Sequence, residues 1–325
     1  MVEYSVIDVL ISSVIALIMF GISLSLTPES FKNIFKFPKS LIAGLSAQML
    51  LLPAIAFLFG VVFNLSPEFK IGLIILSVCP GGTTSNFITF LLNGNTALSV
   101  SMTTINSFLT LFSIPFVVNL AFLFFLGSGN DFNLPYAQTI LQIFLVTILP
   151  AAIGLYIKIK HPKLAKKLNF KVKITYKGIK TRFSFIKSFT TFLLGLVFIV
   201  KLFAGKDSGG VGLTTNDFVD LFPIALLFNF VGLFFGFFVS LLLKLKNDTP
   251  MTIAIEVGLQ NTTLAFLVAG TLLHSIEMQK PALVYALFSF WTAIAFGFMV
   301  KYFRRKRRYK QLLDIRKRKY KNSRI

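Results

Sequence analysis

Long apolar runs, separated by short polar or basic segments, dominate the 325-residue chain. A bilayer core about 30 Å thick is crossed by about 20 helical residues, and nine runs approach or exceed that length. We number them spans 1 to 9, and they cover residues 5–26, 40–63, 69–92, 96–126, 135–157, 183–203, 218–243, 251–273 and 281–303. The pattern predicts an all-α polytopic membrane protein with about nine transmembrane helices.

Two of these runs are interrupted by polar residues and helix breakers. Span 3 contains CPGGTTSN at 79–86, and span 8 contains VGLQNTT at 257–263. Proline lacks a backbone N–H and glycine disfavours helix, so we expect breaks near 80–83 and near 258–261. Irregular backbone at membrane depth is tolerated where protein or a water-filled cavity satisfies it. Two discontinuous crossing helices in corresponding places are typical of a transporter binding site.

The two halves of the chain correspond in their order of spans. Spans 1–4 match spans 6–9, and spans 3 and 8 enter from opposite faces of the membrane. We therefore predict inverted repeats, with four spans in 1–126, five spans in 127–303, and a basic cytoplasmic tail at 304–325. Spans 1, 2, 6 and 7, with span 5, are expected to form a panel domain. Spans 3, 4, 8 and 9 are expected to form a core domain around the crossing.

Composition and charge place the chain in a membrane. It is 55% hydrophobic with 39 Phe, which a water-soluble domain cannot bury. Of its 33 Lys and Arg, 29 fall in segments 27–39, 158–187, 244–250 and 301–325, which share one face of the membrane. The bias predicts a plasma (inner) membrane protein with its N-terminus outside and C-terminus inside. We expect the tail to bind anionic lipids rather than nucleic acid, and segment 158–187 to be a membrane-surface connector.

Glu256 is the acidic residue that lies deep within an apolar span. A carboxylate at this depth costs about 2.5–3.5 kcal/mol and requires a cation or proton partner; the alternative is a neutral, hydrogen-bonded packing residue. The Ser, Thr, Asn and Gln residues of spans 3 and 8 supply the oxygen ligands that hard cations prefer. The one cysteine, Cys79, excludes a multi-cysteine metal site. No nucleophile–base pair or phosphate-binding loop is evident, so we do not expect an enzyme.

Three segments resemble a known family. CPGGTTSNFITFLLNGNTALSVSMTT (79–104) and IEVGLQNTTLAFLVAG (255–270) are similar to the two signature segments of the bile acid:sodium symporter family, and LIMFGISLSL (17–26) resembles its entry helix. The resemblance implies two sodium sites. The first would be formed by Ser85, Asn86, Ser99, Thr103 and Glu256. The second would be formed by Gln48, Glu256, Val257, Leu259 and Gln260.

The resemblance also implies an organic anion as substrate, with Thr83 and Asn261 near its acidic group. Helix N-termini at these two residues favour an anion on independent grounds. Several bacterial members of the family carry His-Asn after the tryptophan of the last span, where this chain has Thr292 after Trp291. We assign Thr292 to the substrate pocket. Because the carboxamide is missing, a smaller carboxylate or sulfonate is as good a candidate as a bile acid.

These observations predict a sodium-coupled symporter that carries an organic anion by alternating access. Two alternatives stay open from the residues alone. One is a sodium/proton antiporter of related fold, which would also use a membrane carboxylate. The other is a membrane receptor or scaffold that transports nothing.

Overall fold

Helices follow the apolar runs of the sequence in the computed structural model of the chain. The structure describes residues 6–24, 38–127, 134–168, 171–176, 179–203, 205, 210–245 and 248–322. The predicted basic segment 27–39 lies almost wholly outside the described residues, as do the last three residues of the predicted tail.

The first half of the chain forms spans 1 to 4. Span 1 is Val6–Ser23, and span 2 consists of Pro38–Ser46, the π-helical turn Ala47–Leu51 and Leu52–Val62. Span 3 consists of Pro67–Val78 (3a) and Thr83–Leu91 (3b), and span 4 is Thr96–Leu126. Side-chain caps set two of the helix starts. The Ser66 hydroxyl accepts a bond from the Phe69 N–H (3.3 Å), and the Asn95 carboxamide accepts one from the Leu98 N–H (3.1 Å).

The second half forms spans 5 to 9. Span 5 consists of Tyr136–Ile143, the π-helical turn Phe144–Ile148 and Leu149–Lys160, and the short helix Pro162–Leu168 follows it. Span 6 is Phe185–Phe203 and span 7 is Thr215–Leu242. Span 8 consists of Thr249–Gly258 (8a) and of Thr262–Phe266 continued by the π-helical Leu267–Leu272 (8b); after the 3-10 turn Glu277–Gln279, the helix Lys280–Asn322 forms span 9 and the tail. Thr214 and Asp217 form a capping box at the start of span 7.

Both predicted interruptions are confirmed. Span 3 is non-helical at 79–82, between 3a and 3b, and span 8 is non-helical at 259–261, between 8a and 8b. Among the described residues, six helices are long and apolar enough to cross a membrane: Pro38–Val62, Thr96–Leu126, Tyr136–Lys160, Thr215–Leu242, Thr249–Leu272 and Glu277–Lys306. The all-helical polytopic class is therefore confirmed, and the count of nine spans stays a prediction.

The basic connector contains a feature that the sequence reading missed. Strands Lys171–Tyr176 and Ile179–Ser184 pair antiparallel, with Lys171 opposite Ser184 and Tyr176 opposite Ile179. The second strand covers the predicted start of span 6, whose helix begins at Phe185. This hairpin is a small departure from an otherwise helical fold.

The packing corrects the predicted division into panel and core. Span 7 packs against 8a and span 9, and span 2 packs against 3a, span 4 and span 7. Span 1 packs mainly against spans 5 and 6. Spans 2 and 7 therefore belong with the core, and the panel consists of spans 1, 5 and 6.

The core brings its helix backbones unusually close together. Every residue of 8a is buried. A Cβ placed on Gly236 of span 7 would lie 2.9 Å from the Cα of Ala254 and 3.0 Å from the carbonyl oxygen of Ile253. Glycine at this position lets span 7 lie directly on 8a, which fixes the helix that carries Glu256.

Candidate functional site

The two interruptions meet inside the protein. The backbone N–H of Asn261, in the break of span 8, donates a hydrogen bond to the carbonyl of Pro80 in the break of span 3 (2.9 Å). A Cβ on Gly82 would lie 4.0 Å from the Cβ of Asn261. Spans 3 and 8 therefore cross at their non-helical segments, where polar backbone of each satisfies polar backbone of the other.

The two half-helices that leave the crossing begin differently. Helix 3b follows Gly82, whose backbone is extended (φ −115°, ψ −171°) and which provides no side-chain cap. Helix 8b is capped by Asn261, whose Oδ1 accepts a bond from the Leu264 N–H (3.1 Å). The N-terminus of 3b thus presents backbone N–H groups without a side-chain cap, and these carry partial positive charge.

Glu256 lies at the centre of a polar cluster and is fully buried. The Ser99 hydroxyl lies 2.8 Å from its Oε2, and the Thr103 hydroxyl donates to its Oε1. Asn86 of 3b joins both, with its Oδ1 2.7 Å from Ser99 Oγ and its Nδ2 3.2 Å from Thr103 Oγ1. Helix 3b and span 4 therefore place oxygen atoms around the carboxylate that 8a carries.

Gly81 and Ser85 complete this cluster. Ser85 is buried, and its hydroxyl donates to the carbonyl of Gly82 (2.8 Å). A Cβ on Gly81 would lie 2.8 Å from the carboxyl carbon of Glu256 and 3.0 Å from Ser85 Oγ, so a side chain there would displace the carboxylate. The structure brings together all five residues predicted for the first sodium site.

A second polar group adjoins the crossing. Gln48 Nε2 donates to Gln260 Oε1 (3.3 Å) and to the carbonyl of Cys79 (3.4 Å). Gln260 Nε2 in turn donates to the carbonyl of Val257 (2.7 Å). Gln48 lies in a π-helical turn, an irregularity frequent at functional sites.

The side-chain oxygen of Gln48 is available to bind an ion. Gln48 is buried, and its Oε1 has no hydrogen-bond partner among the described residues. Val257 and Leu259 lie on either side of Gly258, where 8a ends. Gln48, Val257, Leu259 and Gln260 therefore all lie at or beside the end of 8a, as the second predicted site requires.

A small cavity of about 40 Å³ lies beside the crossing. One wall consists of apolar side chains of span 1, and the other consists of polar residues of 3b and the break in span 8. The lining residues are Ile15, Ile18, Met19, Gly82, Thr84, Gln260, Asn261, Thr262 and Thr263. The cavity has room for a few water molecules and would have to widen to hold an organic anion.

The three residues predicted to contact substrate are placed differently. Asn261 lines this cavity. Thr83 is the first residue of 3b, but its side chain lies outside the described part of the structure. Thr292 is not among the lining residues, and its hydroxyl lies 2.6 Å from Asn229 Oδ1, to which it donates. A substrate contact for Thr292 stays a prediction.

Asn229 and Tyr285 form a buried network that the sequence reading missed. Asn229 Nδ2 donates to the carbonyl of Gly258 (2.7 Å) and to the Tyr285 hydroxyl (2.9 Å). The Tyr285 hydroxyl also donates to the Gly258 carbonyl (2.5 Å). Spans 7 and 9 thereby hold the last carbonyl of 8a. The available signal was an asparagine inside the apolar run of span 7.

The chemistry of the cluster suits a hard monovalent cation. Its side chains are a carboxylate, hydroxyls and carboxamides, and hard cations prefer such oxygens. Within the described ranges, no group of three or more His, Cys, Asp or Glu could hold a metal ion. A transition-metal centre is therefore not favoured by the donor set.

A family model describing the sodium bile acid symporter family matches residues 12–206. The chain belongs to the sodium bile acid symporter family. The match confirms the predicted family and covers segments 17–26 and 79–104, and it identifies the chain as a membrane transporter rather than an enzyme.

Curated relatives in this family agree over most of the chain. An uncharacterized sodium-dependent transporter, YocS of Bacillus subtilis, is 29% identical over 91% of this chain and 84% of its own length. A human sodium-dependent organic anion transporter is 27% identical over 84% of this chain and 67% of its own length. The human ileal sodium/bile acid cotransporter is 26% identical over 91% and 80%.

Proposed function

We propose that this chain is a sodium-coupled symporter that carries an organic anion by alternating access. The observation that carries the proposal is the buried Glu256 carboxylate, surrounded by Ser99, Thr103 and Asn86 at the crossing of two broken helices. Sodium dependence in the names of bacterial and human relatives supports the same conclusion.

Sodium is the counter-charge that the cluster requires. Within the described part of the chain, no Lys, Arg or His forms an ion pair with Glu256. An ionised carboxylate in this position must be neutralised by a cation or a proton. The surrounding hydroxyl and carboxamide oxygens favour a hard cation, so we assign one sodium to this cluster and a second to Glu256 with Gln48, Gln260 and the carbonyls of Val257 and Leu259.

The anion is proposed to bind at the cavity beside Asn261. The carboxamide of Asn261 lies on the cavity wall, and the uncapped start of 3b at Thr83 offers backbone N–H groups that favour negative charge. The apolar side chains of span 1 form the opposite wall. These features suit a carboxylate or sulfonate attached to an apolar body, either bile-acid-like or smaller.

The position of the cavity supports a rocking mechanism. Ile15, Ile18 and Met19 belong to span 1 of the panel, and Gly82 and Asn261 belong to the crossing in the core. A movement of the panel relative to the core would widen this cavity toward one face or the other. We propose that bound sodium fixes the crossing, and that the loaded core then moves.

The charge distribution supports a definite orientation. We propose the N-terminus outside and the C-terminus inside a plasma membrane, because 29 of 33 Lys and Arg then face the cytoplasm. Span 9 continues as a helix to Asn322, so the basic tail is a helical extension that would contact anionic lipids.

Uptake into proteoliposomes tests the proposal. Purified protein is assayed with labelled carboxylates and sulfonates, including a conjugated bile acid, under an inward sodium gradient, and with choline as the control cation. We expect saturable uptake of at least one anion in sodium and none in choline. Sodium-driven proton movement without any anion would support the antiporter instead, and the absence of both activities would support a receptor or scaffold.

A further inference from the structure

Asn106 of span 4 is a buried carboxamide in the middle of the helix Thr96–Leu126. Its side chain is 1% exposed. Neither Oδ1 nor Nδ2 has a hydrogen-bond partner among the described residues. A buried amide without partners costs free energy, so its presence in an apolar helix requires a reason beyond packing.

The helix geometry places Asn106 beside the Glu256 cluster. Asn106 is seven residues after Ser99 and three after Thr103, and residues at these spacings share one face of a helix. Ser99 and Thr103 are the two residues of span 4 that contact the Glu256 carboxylate. Asn106 is therefore one turn beyond the cluster, on the face that carries it.

A second line of evidence places Asn106 level with Gln48. Spans 2 and 4 run in the same direction, because Gly44 meets Met102 near one end and Phe57 stacks on Phe125 near the other (ring centroids 5.9 Å apart). Gln48 and Asn106 each lie four residues past the first of these contacts. Helix 3a packs against both spans, and Gln48 donates to the Cys79 carbonyl just beyond the end of 3a.

We propose that Asn106 Oδ1 is a further ligand of the second sodium ion, opposite the uncommitted Oε1 of Gln48. This inference rests on the proposed function. It accounts for two buried carboxamide oxygens, one on span 2 and one on span 4, that have no hydrogen-bond partner in the described part of the chain. Sodium prefers oxygen ligands, and each of these oxygens can coordinate the ion without breaking a hydrogen bond to a described residue.

Asn106→Leu separates a ligand from a packing residue. Leucine has a similar volume and no polar atoms, so the melting temperature without sodium is expected to rise. The sodium concentration needed for half-maximal thermal stabilisation is expected to rise about tenfold or more, because one coordinating oxygen is lost. We call this concentration the sodium midpoint. An unchanged sodium midpoint would overturn the proposal.

Asn119→Leu is the matched control on the same helix. Asn119 is fully engaged, since its Nδ2 donates to the Leu134 carbonyl and its Oδ1 accepts from the Leu134 N–H (both 2.9 Å). Its replacement should lower the melting temperature equally with and without sodium. If Asn106→Leu behaves in this way too, Asn106 is a structural residue and the proposal is wrong.

Asn106→Asp is the second variant, for the case in which the leucine variant does not insert. It keeps a side-chain oxygen and adds charge, so the sodium midpoint should be equal to or below that of the wild type; a higher midpoint contradicts the proposal. The wild-type titration tests the proposed function separately. Sodium alone must stabilise the wild type, and a wild type that ignores sodium overturns both the function and this inference.

Discussion

The N–H of Asn261 donates to the carbonyl of Pro80 across 2.9 Å, so the break in span 8 is hydrogen-bonded directly to the break in span 3. Residues far apart in the chain thus share one non-helical region in the middle of the fold. The carboxylate of Glu256 and the carboxamide of Gln260 both come within five residues before Asn261 in the sequence, one before and one after Gly258. Any ion bound by either side chain therefore influences the crossing of both helices.

Glycine at position 81 is predicted to be essential for sodium binding. In Gly81→Ala the added Cβ would lie 2.8 Å from the carboxyl carbon of Glu256, and overpacking of this kind costs about 1–3 kcal/mol. We expect lower thermal stability and an increase of about tenfold or more in the sodium midpoint, since about 1.4 kcal/mol corresponds to a factor of ten.

Gly82→Ala is the control for this prediction. Its Cβ would meet its nearest neighbours at 3.8 Å and 4.0 Å, which is ordinary contact, and its extended backbone accepts alanine. The sodium titration of the melting temperature should match that of the wild type. Equal sodium midpoints for Gly81→Ala and Gly82→Ala would show that the carboxylate position is not limited by Gly81.

The network at Gly258 is predicted to position the end of 8a. Tyr285→Phe removes the hydroxyl that donates to the Gly258 carbonyl (2.5 Å) and leaves Asn229 Nδ2 with one acceptor fewer. We expect the free energy of unfolding to fall by about 1–3 kcal/mol. The sodium midpoint should rise, because the carbonyls of Val257 and Leu259, on either side of Gly258, are proposed sodium ligands. Tyr302→Phe, at an exposed tyrosine of the same helix, should change neither quantity. A normal sodium midpoint in Tyr285→Phe would limit the network to a packing role.

Transport is predicted to be electrogenic for a monovalent anion. Two sodium ions and one such anion carry a net charge of +1 inward in each cycle. One elementary charge across 100 mV is worth about 2.3 kcal/mol, which corresponds to about fifty-fold additional accumulation. Uptake into proteoliposomes at a fixed sodium gradient should therefore rise when the interior is made negative. Voltage-insensitive uptake of a monovalent anion, where the coupled cycle limits the rate, would indicate one sodium per substrate.

The breaks could be predicted from local chemistry alone. Pro80, Gly81 and Gly82 form a run of three residues that disfavour helix, and the predicted span 4 covers the same residues, 96–126, that form its helix. The neighbours of each span could not be predicted in this way. Apolar helices in lipid carry no amphipathic pattern that identifies their partners, and for this reason spans 2 and 7 were placed in the panel although they pack in the core.

The hairpin and the buried carboxamides show two further limits. Lys171–Tyr176 alternates Lys with apolar residues, which is a strand pattern, yet the surrounding basic charge favoured a membrane-surface reading. Glu256 is indicated by its place deep within an apolar span, whereas Gln48 and Asn86 are assigned to sodium sites through the family resemblance. Asn106 and Asn229 lie within continuous helices, and their significance depends on the hydrogen bonds that each side chain makes or lacks, which only the packed structure reveals.

The most direct test of the account is a sodium titration of thermal stability with wild type and Glu256→Gln measured together, at constant ionic strength with choline as the replacement ion. The free energy of unfolding of the wild type should increase by about 2.7 kcal/mol for each site when sodium reaches 100 times its dissociation constant. Glu256→Gln should insert and fold but gain nothing from sodium, while Asp220→Asn, at an exposed carboxylate, should respond as the wild type does. A Glu256→Gln protein that retains the full sodium increment would contradict the claim that this carboxylate holds the coupling ions.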